Sequence, residues 1–169
     1  NIVCIPGPCA AITALVSSGL PSSKFTFEGF LPKKQSERGK ILLEISRNEK
    51  TSIIFESPHR LIKLLYELKE YCGGDRQIRV SRELTKKFEQ HIGDNIYEVI
   101  NFFNDREVLG EITVVVEGRN KSKNNIPLDN FQIKRDLNDL TSAGLSLSAA
   151  SKYLAKKNNI PKNIIYNMY

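Results

Sequence analysis

The sequence predicts an α/β fold with a mixed sheet, followed by a small helical bundle, and three observations carry that expectation. Short runs rich in β-branched residues (Ile2–Ile5, Thr51–Phe55, Gln77–Arg82, Ile112–Val116) alternate with stretches of helical period. Prolines, glycines and capping residues stand where one period gives way to the other. A polar stretch without periodicity, residues 120–129, then separates this part from a basic region with three further helical patterns.

Ile2–Ile5 reads as a strand buried on both faces. Pro6-Gly7-Pro8 cannot continue it, and Pro8 is placed as the first residue of a helix through Ala10, Ala11, Ile12 and Leu15. Small residues at Cys9, Ala10 and Ala11 leave the backbone open to a ligand, at the strand end and helix start where ligands of open α/β sheets settle. Gly19 and Pro21 stop the helix. Lys24–Glu28 alternates apolar and polar residues as a half-buried strand does, and Gly29–Lys34 follows as a loop. A charged helix spans Ser36–Arg47, with Ile41, Leu42 and Ile45 as its apolar stripe. Thr51–Phe55 is a second buried strand. Ser57 and Pro58 then start a helix whose Leu61, Leu64, Leu65 and Leu68 share a face, and Gly73-Gly74 ends it. Gln77–Arg82 is a third strand, Phe88–Ile92 a short additional one, and Asn95 with Glu98 caps a helix through Phe103. Ile112–Val116 is the strongest strand signal in the chain. In the basic region, helices are expected over Asn130–Thr141, from Ser146 or Ser148 to Lys157, and from Pro161 to Met168. Together they suggest a helix-turn-helix-like bundle.

The chain of 169 residues, 40% of them hydrophobic, is long enough to bury a core. No run approaches the ~18 apolar residues of a membrane span, and no signal peptide is visible. The chain lacks an initiator Met and opens on a core-like strand, so the expectation is a fragment whose upstream part is missing. Cys4, Cys9 and Cys72 have no pairing or zinc spacing, which favours a reducing, cytoplasmic setting; Cys4 and Cys72 read as small core residues. The net charge of +6 is uneven: residues 1–119 hold 17 Lys/Arg against 16 Asp/Glu, and residues 120–169 hold 8 against 3. Nearly all the excess lies in the tail, as in a nucleic-acid-facing appendage, although a capping or dimerising bundle with a solvated surface has the same composition.

Neither His59, beside Arg60 in a first helical turn, nor His91, in a strand, has partners with hydrolytic or metal-binding spacing, and no metal site is expected. Gly-x-Gly-x-x-Gly and Walker sequences are absent. What remains is charge gathered at strand ends: Glu56, Ser57, His59 and Arg60; Ser81, Arg82, Glu83 and Lys86; Glu111. Strand ends on one side of a sheet converge, so these residues can share a crevice with Gly7–Ala10.

Taken in order, Pro6-Gly-Pro-Cys-Ala10, Gly19-Leu-Pro21, Glu28-Gly-Phe-Leu-Pro32, Glu56-Ser-Pro-His-Arg60, Arg82-Glu-Leu-Thr-Lys86, Gly110-Glu111 and Glu117-Gly118 resemble the tetrapyrrole (corrin/porphyrin) methylase superfamily. More narrowly, the set is similar to the bacterial 16S, small-subunit ribosomal RNA (cytidine 2′-O)-methyltransferases, over nearly the whole chain. The resemblance implies two α/β domains with S-adenosylmethionine between them. Residues 1–20 would then end the first domain and cross over, 21–119 form the C-terminal methylase domain, 120–129 a linker, and 130–169 a basic three-helix tail. The first domain's Gly-rich loop and Asp-x-Gly-x-Pro turn are absent, so this chain alone is expected to be inactive.

By the same resemblance, Pro8, Cys9, Ala10, Phe55, Ser81, Arg82 and Ile112 line the cofactor site. His59, Arg60, Lys86, Lys156, Lys157 and Lys162 face ribosomal RNA, and the parent enzyme is a homodimer. Glu56 or Glu83 would accept the proton of the ribose 2′-hydroxyl, and Lys86 or Arg82 would stabilise the alkoxide. Two other readings are a small-molecule tetrapyrrole methylase, which has no need of a basic tail, and a non-catalytic RNA- or DNA-binding module, which has no need of the Pro6–Ala10 turn.

Overall fold

The structure, a computed structural model, describes residues 2–120, 130–158 and 162–169, with the backbone alone at 130–132 and 158. The chain divides into two compact units, Asn1–Lys121 and Ser122–Tyr169. Most of the expected linker, residues 121–129, lies outside the described residues, as does Pro161.

The first unit is a mixed five-stranded sheet in the order β1-β2-β5-β3-β4, built from β1 (Phe25–Phe30), β2 (Thr51–Glu56), β3 (Ile78–Arg82), β4 (Gln90–Ile92) and β5 (Ile112–Val116). β1 and β2 are parallel, β5 runs antiparallel to both β2 and β3, and β4 is antiparallel to β3. Every residue of β5 is buried, as a central, uniformly apolar strand requires. One face of the sheet packs against α2 (Gln35–Arg47), α3 (Pro58–Cys72) and α4 (Ile96–Phe103). Leu42, Ile45, Leu61, Leu64, Leu65, Leu68, Ile96 and Val99 meet Ile54, Ile78, Val80 and Val114 there. The opposite face carries α1 (Ala10–Ser18), whose Ala11, Ala14 and Leu15 pack on Ile53 and Val115. The expected caps are present: Gly19 closes α1 at φ 71°, and Asn95 Oδ1 accepts the Glu98 N–H at 3.0 Å.

Several sequence expectations are corrected. Ile2–Ile5 is not a buried strand: Ile2, Val3 and Ile5 are exposed and outside any sheet. An apolar run becomes a strand only where its backbone finds a partner edge, and none of the five strands pairs with it. Cys4 is exposed with it rather than in a core. Pro8 does not start α1. The Thr13 N–H and hydroxyl both bond to Cys9 O, at 2.9 Å each, so the first turn closes with Cys9 as N-cap. β1 runs on through Gly29 and Phe30, which read as loop, because Glu28 is an extra residue in a bulge between Phe27↔Ile53 and Gly29↔Ile54. The phenylalanines of β1 are its exposed side chains, not its inward face.

The second unit holds α5 (Asn130–Ser142), α6 (Leu147–Asn158) and α7 (Lys162–Tyr166) around Ile133, Leu137, Ala150, Leu154 and Ile165. Ser146 is the residue that caps α6, accepting the Ala149 N–H at 3.3 Å. Among the described residues no helix is long and apolar enough to cross a membrane, and no group of three or more His, Cys, Asp or Glu is placed to hold a metal.

Candidate functional site

The strand directions bring the carboxyl ends of β1, β2 and β3 to one edge of the sheet, together with the amino ends of β4 and β5. α1 points its amino-terminus toward the same edge: the chain leaving its carboxyl end is fixed at the start of β2, where Thr51 Oγ1 donates to Pro21 O at 2.5 Å, and Leu84, beyond the end of β3, packs against the cluster that Ala11, Ala14 and Leu15 form with Ile53 and Val115. Pro8, Cys9 and Ala10 are exposed at the amino-terminal end of α1.

Register sorts the candidates onto two faces. Phe30, Phe55, Thr113, Ser81 and His91 stand opposite one another in successive strands, forming a row on the α1 face. The Phe27 and Phe30 rings lie 5.0 and 5.8 Å from Phe55, and Phe30 is 64% exposed. The next row, Glu56, Ile112, Arg82 and Gln90, faces the α2–α4 side. Of the residues expected at the cofactor, Phe55 and Ser81 thus share the α1 face, while Ile112 is buried in the opposite core.

Glu56 belongs to a buried ion cluster. Its Oε2 lies 3.4 Å from Arg38 Nη2 and 3.3 Å from Arg60 Nη2, and its Oε1 accepts the Ser57 N–H at 2.9 Å. Arg38, only 1% exposed, completes the cluster with Nε 2.7 Å from Glu67 Oε2. A carboxylate with both oxygens engaged in this way is not available to a substrate proton. Arg60 also donates to Leu31 O at 2.8 Å, whereas His59 is exposed on the first turn of α3. Sequence reasoning missed Arg38 and Glu67. The signal was the position of Arg38, in helical register with Leu42 and Ile45 on the buried stripe of α2.

The loop after β3 is a second charged group. Glu83 and Thr85 take positive φ values, 53° and 63°, which are unfavourable for side chains with a Cβ and above all for Thr. Glu83 Oε1 accepts the Glu111 N–H at 2.9 Å and the Lys86 ammonium at 3.0 Å, and Lys86 Nζ also lies 3.1 Å from Glu111 Oε2. The Glu111 N–H, and next the Lys86 ammonium, hold the Glu83 carboxyl below its ordinary value. The two carboxylates, Glu83 first, raise Lys86 above its own. Near neutral pH the pair is therefore charged, and Lys86 offers a fixed cation on an exposed loop. Gly110 makes this approach possible: its φ is 88°, and a Cβ there would lie 2.6 Å from Glu83 Cγ. Arg82 donates to Leu109 O at 3.3 Å.

In the second unit, Lys156 and Lys157 are exposed near the end of α6 and Lys162 at the start of α7. Lys157 Nζ lies 3.4 Å from Asp136 Oδ2, and Lys162 Nζ donates to Ser148 Oγ at 2.7 Å.

The family model described as Tetrapyrrole (Corrin/Porphyrin) Methylases matches residues 1–100. Over 169 residues the chain is 40% identical to the Ribosomal RNA small subunit methyltransferase I of Vibrio cholerae, covering 98% of this chain and 57% of that protein. The protein of the same name from Bacillus subtilis is 37% identical, with 99% and 58% covered, and that of Escherichia coli O157:H7 is 36% identical, with 98% and 57% covered. The chain thus spans a little over half the length of these curated relatives. Among solved structures, the methyltransferase CobJ superposes with a TM-score of 0.51 at 20% identity, covering 67% of this chain and 49% of that one. The cobalt precorrin-4 methyltransferase CbiF superposes with the same TM-score at 13% identity, covering 67% and 50%. At such identities these two likenesses concern the fold alone.

Proposed function

From its membership of the tetrapyrrole (corrin/porphyrin) methylases, the family to which this chain belongs, we propose that it forms the carboxy-terminal part of an S-adenosylmethionine-dependent methyltransferase acting on a cytidine ribose 2′-hydroxyl of small-subunit ribosomal RNA. The observation that carries this reading is the extent of the match: relatives named for ribosomal RNA methylation cover the chain from end to end, basic tail included. CobJ and CbiF cover only two thirds of it.

The sheet edge suits the cofactor. Exposed Phe27 and Phe30 beside Phe55 offer an aromatic surface for an adenine, and the exposed Pro8–Ala10 segment carries only small side chains. S-adenosylmethionine would supply the methyl group. The chain's own residues would position the RNA. Lys86, held by Glu83 and Glu111, meets a phosphate or the ribose 2′-oxygen, whose proton passes to solvent water, and Arg82 adds its charge beside Glu83. Glu83, its carboxyl lowered, is a weak base and serves to hold Lys86. Lys156, Lys157 and Lys162 add sequence-independent phosphate contacts.

Residues 1–20 end one domain in this reading, 21–119 form the next and 130–169 the RNA-facing tail. A reducing cytoplasm, where ribosomal RNA is processed, is the compartment. A homodimer is consistent with the apolar side chains of Ile12 and Val16 on α1 and Phe25 on β1, which are left exposed.

The test joins this chain to the segment of the Bacillus subtilis relative that lies outside the match. Tritium transfer from S-adenosylmethionine to small-subunit RNA is then followed with and without Lys86→Ala. The joined protein is expected to methylate, the 169-residue chain alone to bind RNA without turnover, and Lys86→Ala to lower transfer by about 10²-fold. A folded joined protein that binds neither cofactor nor RNA would overturn the reading. One that binds RNA without cofactor would leave a basic RNA-binding module as the better account.

A further inference from the structure

A line of hydrogen bonds runs from beneath the α1 face of the sheet to the loop after β3. Ser81 Oγ, on a residue 0% exposed, lies 3.0 Å from His91 Nδ1, its directly opposed partner in the β3–β4 register. His91 Nε2 lies 2.9 Å from Glu89 Oε1, and Glu89 Oε2 accepts the Thr85 N–H at 2.9 Å. Thr85 is the β-branched residue at φ 63°. Such a conformation persists only where its surroundings over-determine it.

The donors and acceptors assign one tautomer. An ionised Glu89 can only accept, so the neutral His91 ring carries its proton on Nε2, and Nδ1 then accepts from the Ser81 hydroxyl. Glu89 is held below its ordinary value first by His91 and then by the Thr85 N–H, in keeping with an acceptor-only carboxylate. This is not a hydrolytic triad, because Ser81 is out of reach of any substrate. It is a strut. Its far end fixes the strained loop that Glu83 and Lys86, on either side of Thr85 in the chain, pin through their own contacts.

We propose that His91 is a positioning residue: through Glu89 it holds the Thr85 backbone in the left-handed conformation, and so sets where Glu83 and Lys86 stand at the sheet edge. The part of this inference that concerns methyl transfer rests on the reading of Lys86 given above. The strut itself does not.

The test is amide exchange and histidine ring ¹⁵N NMR on the 169-residue chain at about pH 8. His91→Ala is expected to speed exchange of the Thr85 N–H by about tenfold or more, because a hydrogen bond to a charged acceptor has lost its support. The Glu111 N–H, held by Glu83, should speed up with it, while Val114 and Val115 in β5 keep their rates. Two-bond ring correlations should place the His91 proton on Nε2. In Glu89→Gln, whose amide N–H₂ can turn toward the ring, the proton should move to Nδ1. Unchanged Thr85 exchange in His91→Ala, or a parent ring protonated on Nδ1, would overturn the proposal. If His91→Ala loosens β5 as well, the tautomer shift in Glu89→Gln decides. None of these readouts needs turnover, so the strut can stand where the role of Lys86 in methyl transfer falls, and the reverse.

Discussion

Arg38 Nε lies 2.7 Å from Glu67 Oε2, with both side chains buried between α2 and α3, and the same guanidinium faces Glu56 at the end of β2. One cation therefore ties two helices to a strand end. Removing it leaves Glu67 without its closest partner and Glu56 with Arg60 alone. Arg38→Ala is expected to cost about 3–5 kcal/mol, the penalty of stranding a buried charge. Pairing Arg38→Met with Glu67→Leu should recover part of that loss. Thermal unfolding followed by circular dichroism checks both, and an unchanged midpoint in Arg38→Ala would mean that the cluster contributes nothing.

Gly110→Ala tests the approach of Glu83. The substitution demands both a positive φ for alanine and space that Glu83 Cγ occupies. A loss of about 1–2 kcal/mol is expected from the backbone alone. Displacement of Glu83 should appear as faster exchange of the Glu111 N–H. If that amide is unaffected, the Glu83 contact is not what the glycine serves.

Acid should loosen the loop from both ends. The carboxyls of Glu83 and Glu89 are held below their ordinary value of 4.5, so each contributes stability present above that value and lost as pH falls through the lowered one. Lys86 has the opposite sign. Raised above 10.5, it contributes fully below that value and loses its contribution as pH rises through the raised one. Protection of the Thr85 amide should therefore fall in acid, and that of the Glu111 amide at both extremes. A Glu111 amide as well protected at both extremes as between them would contradict these assignments.

Replacing Lys156, Lys157 and Lys162 together with Ala should weaken RNA binding and reduce its log–log salt slope by about 2, at ~0.7 for each single-strand phosphate that is no longer neutralised. Filter binding across a salt series measures it. An unchanged slope would make the tail's charge a matter of solubility.

Most of the fold was legible in the sequence because it rests on local signals. The buried β5 run, the leucine face of α3, the Asn95 cap and the Gly19 stop each act within a few residues. Ile2–Ile5 was misread because its pattern matches a strand, while pairing depends on what lies alongside. The site was half legible for a related reason. Lys86 and Glu83 announce themselves as charges at a strand end. That Glu56 is consumed by Arg38, or that Ser81 and His91 stand opposite each other, depends on packing and register, which no local spacing encodes.

β5 is the last strand of the sheet to occur in the chain, yet it occupies the centre. Until residues 112–116 are available, β1 can pair only with β2 and β3 only with β4, leaving two ribbons with no strand in common. During synthesis nearly the whole unit must emerge before its sheet can close, and the inner edges of β2 and β3 stay open meanwhile. A nascent chain stalled before Ile112 would be a target for chaperones or for pairing with its neighbours, and folding of this unit should be slow to begin and abrupt to finish.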